Sequence, residues 1–339
     1  MWHDRKQAWL DLYEGKRQTV VLMQFDQGVR PWPYPEFKEE RIRYALSMYR
    51  DQCERTAWLS DDRIPYLCPY TGTEIFARAF GCRVHYPGDN MPFALPQVTS
   101  TSEAGHLKVP DPQTAFSDVW EIAEALRKAE PDGIMSLPDI QSPLDIAALI
   151  WEKTDFYIAL LTEPEAVLEL TEKIKELLTL FLDKWFAVYG RDFIAHYPDY
   201  YMPYGITVSE DEAGAISPAL FERYCLPGLN ELSDRYGAIG IHSCADSERQ
   251  WSHLAGVRNL KVMNLIRPDE AVARAYDLFG PICAQMHSGE VMNEHFRITL
   301  PPAARNARLI LSVPASGKED ALTKCEIVRA WPAGDVPLP

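Results

Sequence analysis

The stretch Ala238-Ile-Gly-Ile-His-Ser-Cys-Ala-Asp246 is a short apolar run that ends in an imidazole and a thiol. Such a run, bounded by polar residues, is typical of a buried β-strand. Residues i and i+2 of a strand point to the same side. If the strand persists to its end, His242 and Cys244 reach one point, as two ligands of a soft or borderline metal would. A buried cysteine beside a hydrogen-bonded histidine would give the same pattern, so the spacing alone is weak.

Outward from this run, short apolar segments alternate with helical ones over most of the chain. Helical patterns occupy residues 115–129, 143–151 and 164–189, and the predicted strands span residues 133–137, 204–209, 238–242, 261–265, 282–286 and 308–313. This alternation indicates parallel strands joined by right-handed crossovers. Because the chain has 339 residues and no glycine-rich dinucleotide loop, we predict an α/β fold of the closed (β/α)8, or TIM barrel, type rather than an open doubly wound sheet.

The first 110 residues have a different character. They are rich in proline and aromatic residues, as in Pro31-Trp-Pro-Tyr-Pro35 and Pro65-Tyr-Leu-Cys-Pro-Tyr70, with a helical stretch at 36–57 between these two segments. Such a region is expected to cap the fold instead of adding regular strand–helix units to it. We therefore predict an N-terminal extension and lid over residues 1–110, part of the same domain, and a barrel body over residues 111–339.

Composition narrows the class of partner and the compartment. The net charge is −15 and the basic residues are scattered, which argues against a nucleic-acid partner. No run of about 18 apolar residues occurs, so a membrane span is not expected. Seven cysteines, an odd number without short paired spacings, favour reduced thiols. Together with a charged start that does not resemble a signal peptide, these features predict a cytoplasmic protein and leave its oligomeric state open.

In a TIM barrel the active site is built from the loops that follow the strands. Those positions hold a small set of polar residues: Asp139, Gln141, Glu210, Asp211, Glu212, His242, Cys244 and His287. The three adjacent carboxylates repel each other, which a metal or a cationic substrate would relieve. Alternatively, the carboxylates could stabilise the start of the helix that follows at Ser217-Pro218 through capping and the helix dipole. His287 is expected to face the barrel opening near His242, or else to lie in a surface turn.

Several motifs resemble those of the uroporphyrinogen decarboxylase-like superfamily. In chain order they are Gln141-Ser-Pro-Leu-Asp-Ile-Ala147, Thr162-Glu-Pro-Glu-Ala-Val-Leu168, Ser209-Glu-Asp-Glu-Ala-Gly214, Ile216-Ser-Pro-Ala-Leu-Phe-Glu222 and His242-Ser-Cys-Ala-Asp246. The resemblance covers about residues 110–330, and the combination is far more specific than any one motif. It implies a (β/α)8 barrel, in agreement with the strand pattern.

The superfamily includes decarboxylases and zinc-dependent methyltransferases that serve corrinoid proteins or thiols, and this chain looks closer to the methyltransferases. The decarboxylases carry paired arginines near the N-terminus, which Val21-Leu-Met-Gln-Phe-Asp-Gln-Gly-Val-Arg30 lacks. A substrate with many carboxylates would need such a cationic cradle. The methyltransferases bind zinc through His-x-Cys and a later Cys. His242 and Cys244 match the first two ligands, whereas Pro314-Ala-Ser-Gly317 stands where the third is expected.

The resemblance therefore implies a methyltransferase that moves a methyl group between a small methylated compound and a corrinoid protein or thiol, with zinc as Lewis acid. Zinc would be held by His242, Cys244 and a replacement third ligand, for which His287 or Glu210 is preferred over Cys325. Cys283 is a further candidate, although its place within a strand favours a core role. The site would be completed by Glu210 and Asp211 in catalysis and by Asp139, Gln141 and Tyr201 as substrate-binding residues under the lid.

The corrinoid would arrive on a separate, small protein, because the chain lacks the Asp-x-His-x-x-Gly pattern of a cobalamin-binding domain. Two other functions stay open at this point. A metal-free decarboxylase or lyase acting on a small carboxylated substrate would use Asp211 to hold the protonated substrate. A non-catalytic barrel would bind a small molecule without converting it.

Overall fold

The computed structural model describes residues 2–331 of the chain. The strands of this part are β1 (Thr19–Phe25), β2 (Tyr66–Leu67), β3 (Arg83–His85), β4 (Phe93–Leu95), β5 (Ile134–Met135), β6 (Phe193–Ile194), β7 (Tyr201–Met202), β8 (Ile206–Ser209), β9 (Ile239–Ser243), β10 (Leu260–Leu265), β11 (Ala284–Gln285) and β12 (Arg308–Ala315). The α-helices are α1 (His3–Tyr13), α2 (Lys38–Arg55), α3 (Ile75–Ala79), α4 (Thr101–His106), α5 (Pro112–Ala115), α6 (Ser117–Ala129), α7 (Pro143–Ile150), α8 (Lys153–Thr162), α9 (Pro164–Tyr189), α10 (Pro218–Tyr224), α11 (Leu226–Tyr236), α12 (Trp251–Ala255), α13 (Asp269–Phe279) and α14 (Lys318–Ala330). Short 3-10 helices span Pro35–Phe37, Glu212–Gly214, Glu248–Gln250 and Pro302–Asn306.

Six strands form one parallel sheet in the order β1-β12-β11-β10-β9-β8. Its longest pairing joins β1 to β12, from Thr19 opposite Leu309 to Phe25 opposite Ala315. All five residues of β9 are buried, as expected of a parallel strand that is covered on both faces. The parallel arrangement predicted from the alternating apolar runs is confirmed.

Further contacts continue the order of strands from β8 back toward β1. Gln141 bridges in parallel to Ser209 of β8, and Ser136 bridges in parallel to Ile194 of β6. β5 pairs in parallel with β2, and just before β2 the backbone N–H of Asp62 donates to the carbonyl of Val21 in β1. These contacts link the strands in a ring of the (β/α)8 type. Their carboxyl ends share one rim, which we call the mouth.

The boundary predicted at residue 110 does not divide lid from barrel. β1 and β2 both precede residue 110. Five of the seven residues of β1 are buried, so this strand lies inside the molecule. The apolar run Thr19–Phe25 explains this position, since it can be covered on both faces. The barrel therefore begins near Thr19, and helix α1 before it packs on the same core through Trp9 and Leu12.

Helix α9 spans Pro164–Tyr189, the range predicted from the sequence. Proline at its first turn and an acidic residue beside it suit a helix start, and Gly190 follows the last residue with φ of +95°. Its buried stripe includes Phe181 and Trp185, which pack against Trp120 of α6. Neither α9 nor any other helix within residues 2–331 is long and apolar enough to cross a membrane.

Candidate active site

His242 lies at the carboxyl end of β9, opposite Asn264 of β10. The Nδ1 atom of its ring contacts Asn264 Oδ1, while Asn264 Nδ2 donates to the carbonyl of Met286. Since the amide nitrogen is used as a donor, the amide oxygen is the acceptor and Nδ1 carries the imidazole proton. The lone pair of Nε2 is left for other chemistry, and it lies 3.6 Å from Cys244 Sγ.

Asp211 holds the turn that carries Cys244. Its Oδ1 accepts the backbone N–H groups of Cys244 at 2.7 Å and Ala245 at 3.2 Å, and its Oδ2 lies 3.2 Å from Cys244 Sγ. Desolvation and the adjacent Asp211 carboxylate raise the pKa of the Cys244 thiol to about 12. The thiol is thus protonated and donates to the carboxylate. The structure brings three of the predicted residues together here: Asp211, His242 and Cys244.

The His242–Cys244 pair has the donor types and spacing of two zinc ligands. With Zn–N and Zn–S distances of about 2.1 and 2.3 Å, two ligands of a tetrahedral zinc lie roughly 3.6 Å apart, which matches the Nε2–Sγ distance of 3.6 Å. The Nδ1–H bond to an amide oxygen is also the kind of outer contact that metal-binding histidines make. Within residues 2–331, however, no three His, Cys, Asp or Glu side chains are grouped so as to hold a metal ion. The geometry of the described residues therefore matches two ligands of a zinc ion, His242 and Cys244.

His287 does not join this pair, contrary to the expectation that it would face the mouth near His242. Met263 pairs with Gln285, whereas Asn264 pairs with His242. Because side chains alternate along a strand, Gln285 and His287 point to the face opposite His242. His287 Nε2 contacts Gln285 at 2.7 Å, its Nδ1 accepts the backbone N–H of Leu265, and burial lowers its pKa to about 3.

A cavity of about 250 Å³ adjoins His287 on the outer side of the sheet, between α13 and the segment before β12. The imidazole packs against Tyr276 of α13, with ring centroids 5.0 Å apart. This position in the helical layer separates His287 from the reactive pair at the mouth.

Glu210 also points away from the mouth. Ser209 is the register partner of His242, so the next residue faces the helices, where Glu210 is 1% exposed. Burial raises its pKa to about 7, against the opposing hydrogen bonds from Ser142 and Asp145. The neighbouring Asp145 accepts the backbone N–H groups of Asp211 and Glu212. Glu210 and Asp145 thus support the loop that carries Asp211, and the structure gives Glu210 no contact with Cys244.

Tyr201 lies outside the mouth as well. Its hydroxyl approaches Asp192 at 3.4 Å, and its ring packs against Trp9 and Lys6 of helix α1. The expectation that Tyr201 binds substrate is therefore not supported, because the side chain is committed to the packing of the N-terminal helix. Tyr200, its neighbour, is buried beside Gly240 inside the barrel.

A second group of side chains faces the interior beside the first. Asp139 and Gln141 follow β5, and the bridge from Gln141 to Ser209 puts both on the His242 side. His196, which follows β6, has its Nε2 3.5 Å from Asp139 Oδ2. Burial raises the pKa of Asp139, while His196 and then His242 oppose the increase. Asp139 therefore lies within electrostatic reach of both histidines.

Arg30 adds a positive charge to this group. Its guanidinium lies 4.3 Å from the ring centroid of Tyr70, and that ring stacks on His196 at 6.0 Å. Among residues 2–331 no carboxylate forms an ion pair with Arg30; its polar contact is with Met48 Sδ at 3.8 Å. A partly buried guanidinium without an anion is suited to a negatively charged group of a ligand.

The loop between β6 and β7 supplies residues that the sequence patterns did not single out. Tyr197 packs edge-on against the His242 ring at 4.8 Å, and Asp199 pairs with Arg63 and accepts from Tyr66. The signal that could have revealed this loop is the run Phe193-Ile-Ala195 before His196, which lies between the end of a long helix and the next apolar run. It is too short to stand out as a strand.

Comparisons with known proteins assign the chain to a family. The sequence model of the uroporphyrinogen decarboxylase (URO-D) family matches residues 70–282, more than half of the chain, whereas no curated protein matches. Among solved structures, a methyltransferase from Methanosarcina mazei is similar over 96% of this chain and 97% of its own, with 13% identity and a TM-score of 0.62. That likeness concerns the fold, and it agrees with the (β/α)8 barrel predicted from the strand pattern. The chain belongs to the uroporphyrinogen decarboxylase family.

Proposed function

We propose that the protein is a methyltransferase that moves a methyl group between a small methylated compound and a thiol or a corrinoid protein. The observation that carries the proposal is the His242–Cys244 pair at the mouth, with the Nε2 lone pair and the thiol 3.6 Å apart. The likeness in fold to a methyltransferase supports it. Active sites of (β/α)8 barrels lie at this end of the strands.

Zinc is the metal that the donor types favour. His242 and Cys244 would hold it, and water, substrate or a shifted Asp211 would complete the coordination. Bound zinc supplies Lewis acidity, which lowers the pKa of a ligated thiol or polarises a methoxy oxygen. The corrinoid, where it is the acceptor, would be carried by a separate small protein.

Neighbouring residues of the chain orient His242 and Cys244. Asn264 fixes the tautomer and direction of the His242 ring, and Asp211 fixes the turn that presents Cys244. Tyr197 packs against the imidazole in a T-shaped contact. Positioned groups of this kind reduce the reorganisation needed in the transition state.

Decarboxylation of a porphyrinogen is disfavoured by the charges at the mouth. A substrate with many carboxylates needs several cations, whereas Arg63 is already paired with Asp199 and Arg41 donates to the carbonyls of Pro69 and Tyr70. The proposed substrate therefore carries few carboxylates.

The test is to incubate the purified protein with ¹³C-methyl donors, namely methanol, 4-methoxybenzoate and glycine betaine, and with either free reduced cobalamin or a small thiol. We expect ¹³C NMR to show the methyl group on the acceptor with at least one donor. Release of carbon dioxide from a carboxylated substrate without methyl transfer would contradict the proposal and favour a decarboxylase.

A further inference from the structure

Asp139 and His196 form a buried acid–base pair that the proposed function has not yet used. The side chains are about 10% and 13% exposed, and the Oδ2–Nε2 distance is 3.5 Å. His196 Nδ1 is buried and has no hydrogen-bond partner within the described part of the chain. Burial raises the pKa of Asp139, and burial lowers the pKa of His196. Both shifts favour the uncharged forms, a carboxylic acid beside a neutral imidazole, over the ion pair of carboxylate and imidazolium.

The Asp139–His196 pair lies on the same side of the barrel as the His242–Cys244 pair. Both residues follow strands at the mouth, and Tyr197, the next residue after His196, packs against His242. His196, His242 and Asp211 all affect the pKa of Asp139 after burial, so Asp139 lies within electrostatic reach of both groups of side chains. A substrate bound at Cys244 thus has a proton source on the adjacent wall.

The charge beside the pair restricts which methyl donor fits. The Tyr70 ring contacts both the Arg30 guanidinium and the His196 imidazole. Quaternary ammonium and sulfonium donors are recognised by free aromatic faces, but here a guanidinium already lies over the ring. Its positive charge repels a second cation in a partly buried site.

We propose that the Asp139–His196 pair protonates the leaving oxygen during methyl transfer, so that the methyl donor is a neutral or anionic O-methyl compound. This inference rests on the proposed methyltransferase function and names its substrate class. The bond between the methyl carbon and oxygen breaks, and the methyl carbon forms a bond to the acceptor, a thiolate or a reduced corrinoid. The electron pair stays on oxygen, which takes the proton from the pair and leaves as an alcohol or phenol. The pair regains its proton from the acceptor thiol or from water.

This role explains why a proton source is present. An alkoxide or basic phenolate is a poor leaving group, and general acid catalysis contributes about 10²- to 10⁴-fold to such steps. An amine or thioether that leaves a cationic donor departs neutral and needs no proton. If the Asp139–His196 pair acts as the proton source, an O-methyl donor is therefore expected, because a cationic donor would not need it.

The test compares wild type, His196→Gln and Asp139→Asn with three donors: anisole, 4-nitroanisole and glycine betaine. Anisole loses a basic phenolate, 4-nitroanisole loses a stabilised one, and the betaine loses a neutral amine. His253→Gln, on helix α12 with its ring against Phe221, is the matched control. We expect the variants at the pair to lose about 10²-fold or more in kcat/KM with anisole, much less with 4-nitroanisole, and the control to keep wild-type rates.

Two additional measurements separate chemistry from folding. Far-UV circular dichroism reports whether each variant is folded, and added imidazole should restore part of the anisole activity to His196→Ala. An equal loss with both ethers, or no rescue by imidazole in a folded variant, would overturn the role of the pair. Methyl transfer from the betaine and from neither ether would overturn the inference and leave the methyltransferase function intact. Absence of transfer from every donor would overturn both.

Discussion

The His242 ring is oriented by one amide, and this makes Asn264 the residue on which a metal site would depend. The amide oxygen holds Nδ1, and the amide nitrogen is bound to Met286. We expect Asn264→Leu to weaken zinc binding by about 10- to 100-fold, because the ring loses its fixed tautomer. Competition with a chelating dye measures the affinity. Asn230→Leu, whose amide oxygen accepts the N–H of Arg258 away from the mouth, should bind zinc as wild type does, and equal affinities in all three proteins would contradict this account.

The buried Glu210 should make stability depend on pH. Burial raises its pKa from 4.5 to about 7, so between these values the folded state holds a proton that the unfolded state has released. Stability therefore falls as pH rises through this window, by up to about 1.4 kcal/mol per pH unit. Urea unfolding at several pH values should show this slope in wild type and its reduction in Glu210→Gln. Identical pH profiles of the two proteins would refute the assignment.

At the level of single residues, the sequence predicted neighbours within one strand better than neighbours across strands. The two-residue spacing correctly put His242 and Cys244 together, although β9 ends at Ser243 and Asp211 holds the turn that carries Cys244. His287 and Glu210 were wrongly expected at the same point, since the face they take depends on the register between strands. That register is set by hydrogen bonds such as the one from the Met286 N–H to the Met263 carbonyl, which a single sequence does not reveal.

Among the elements, strand β9 has no room for a side chain at Gly240. A Cβ at Gly240 would overlap the Tyr200 hydroxyl and lie 3.1 Å from Tyr200 Cζ and 3.2 Å from Thr207 Cγ2. We expect Gly240→Ala to lower the free energy of unfolding by about 1–3 kcal/mol. Adding Tyr200→Phe should recover part of this loss, because it removes the hydroxyl. Gly105→Ala is the control, since nothing lies within 4 Å of its Cβ, and an unchanged stability of Gly240→Ala would be inconsistent with this packing.

Helices were easier to predict than short strands. Helix α9 begins with proline and acidic residues and ends before glycine, and these local signals gave both ends of the Pro164–Tyr189 helix. β6, with the two residues Phe193–Ile194, has no such signal. Its partner in the sheet lies far away in the sequence, at Ser136. The loop that carries His196 was missed for this reason.

For the whole molecule, the early strands are part of the barrel and not of a lid. β1 contributes the partner of β12 along its full length, and β2 pairs with β5. The proline-rich segments around β1 led to the wrong boundary because they resemble a surface extension, whereas the alternation after residue 110 was sufficient to predict the barrel class. The fold class can be predicted from the repeated strand–helix pattern even when individual strands are not recognised in the sequence.

This arrangement predicts that residues 111–339 do not fold alone. Without β1, the buried Leu309 and Leu311 of β12 would lose their cover, and a sheet edge would be exposed. We expect this fragment to be insoluble or to lack cooperative thermal unfolding by circular dichroism, whereas the full chain unfolds cooperatively. A soluble fragment with a cooperative transition would restore the boundary at residue 110.

The central claim is that the reaction takes place at the His242–Cys244 pair and not on the outer side of the sheet. The most direct test is the rate of methyl transfer in two matched variants, His242→Gln and His287→Gln, each checked for folding by circular dichroism. The account predicts a loss of about 10²-fold or more for His242→Gln, as for removal of a positioned catalytic group, and rates close to wild type for His287→Gln. Full activity of the His242 variant with loss in the His287 variant would contradict it.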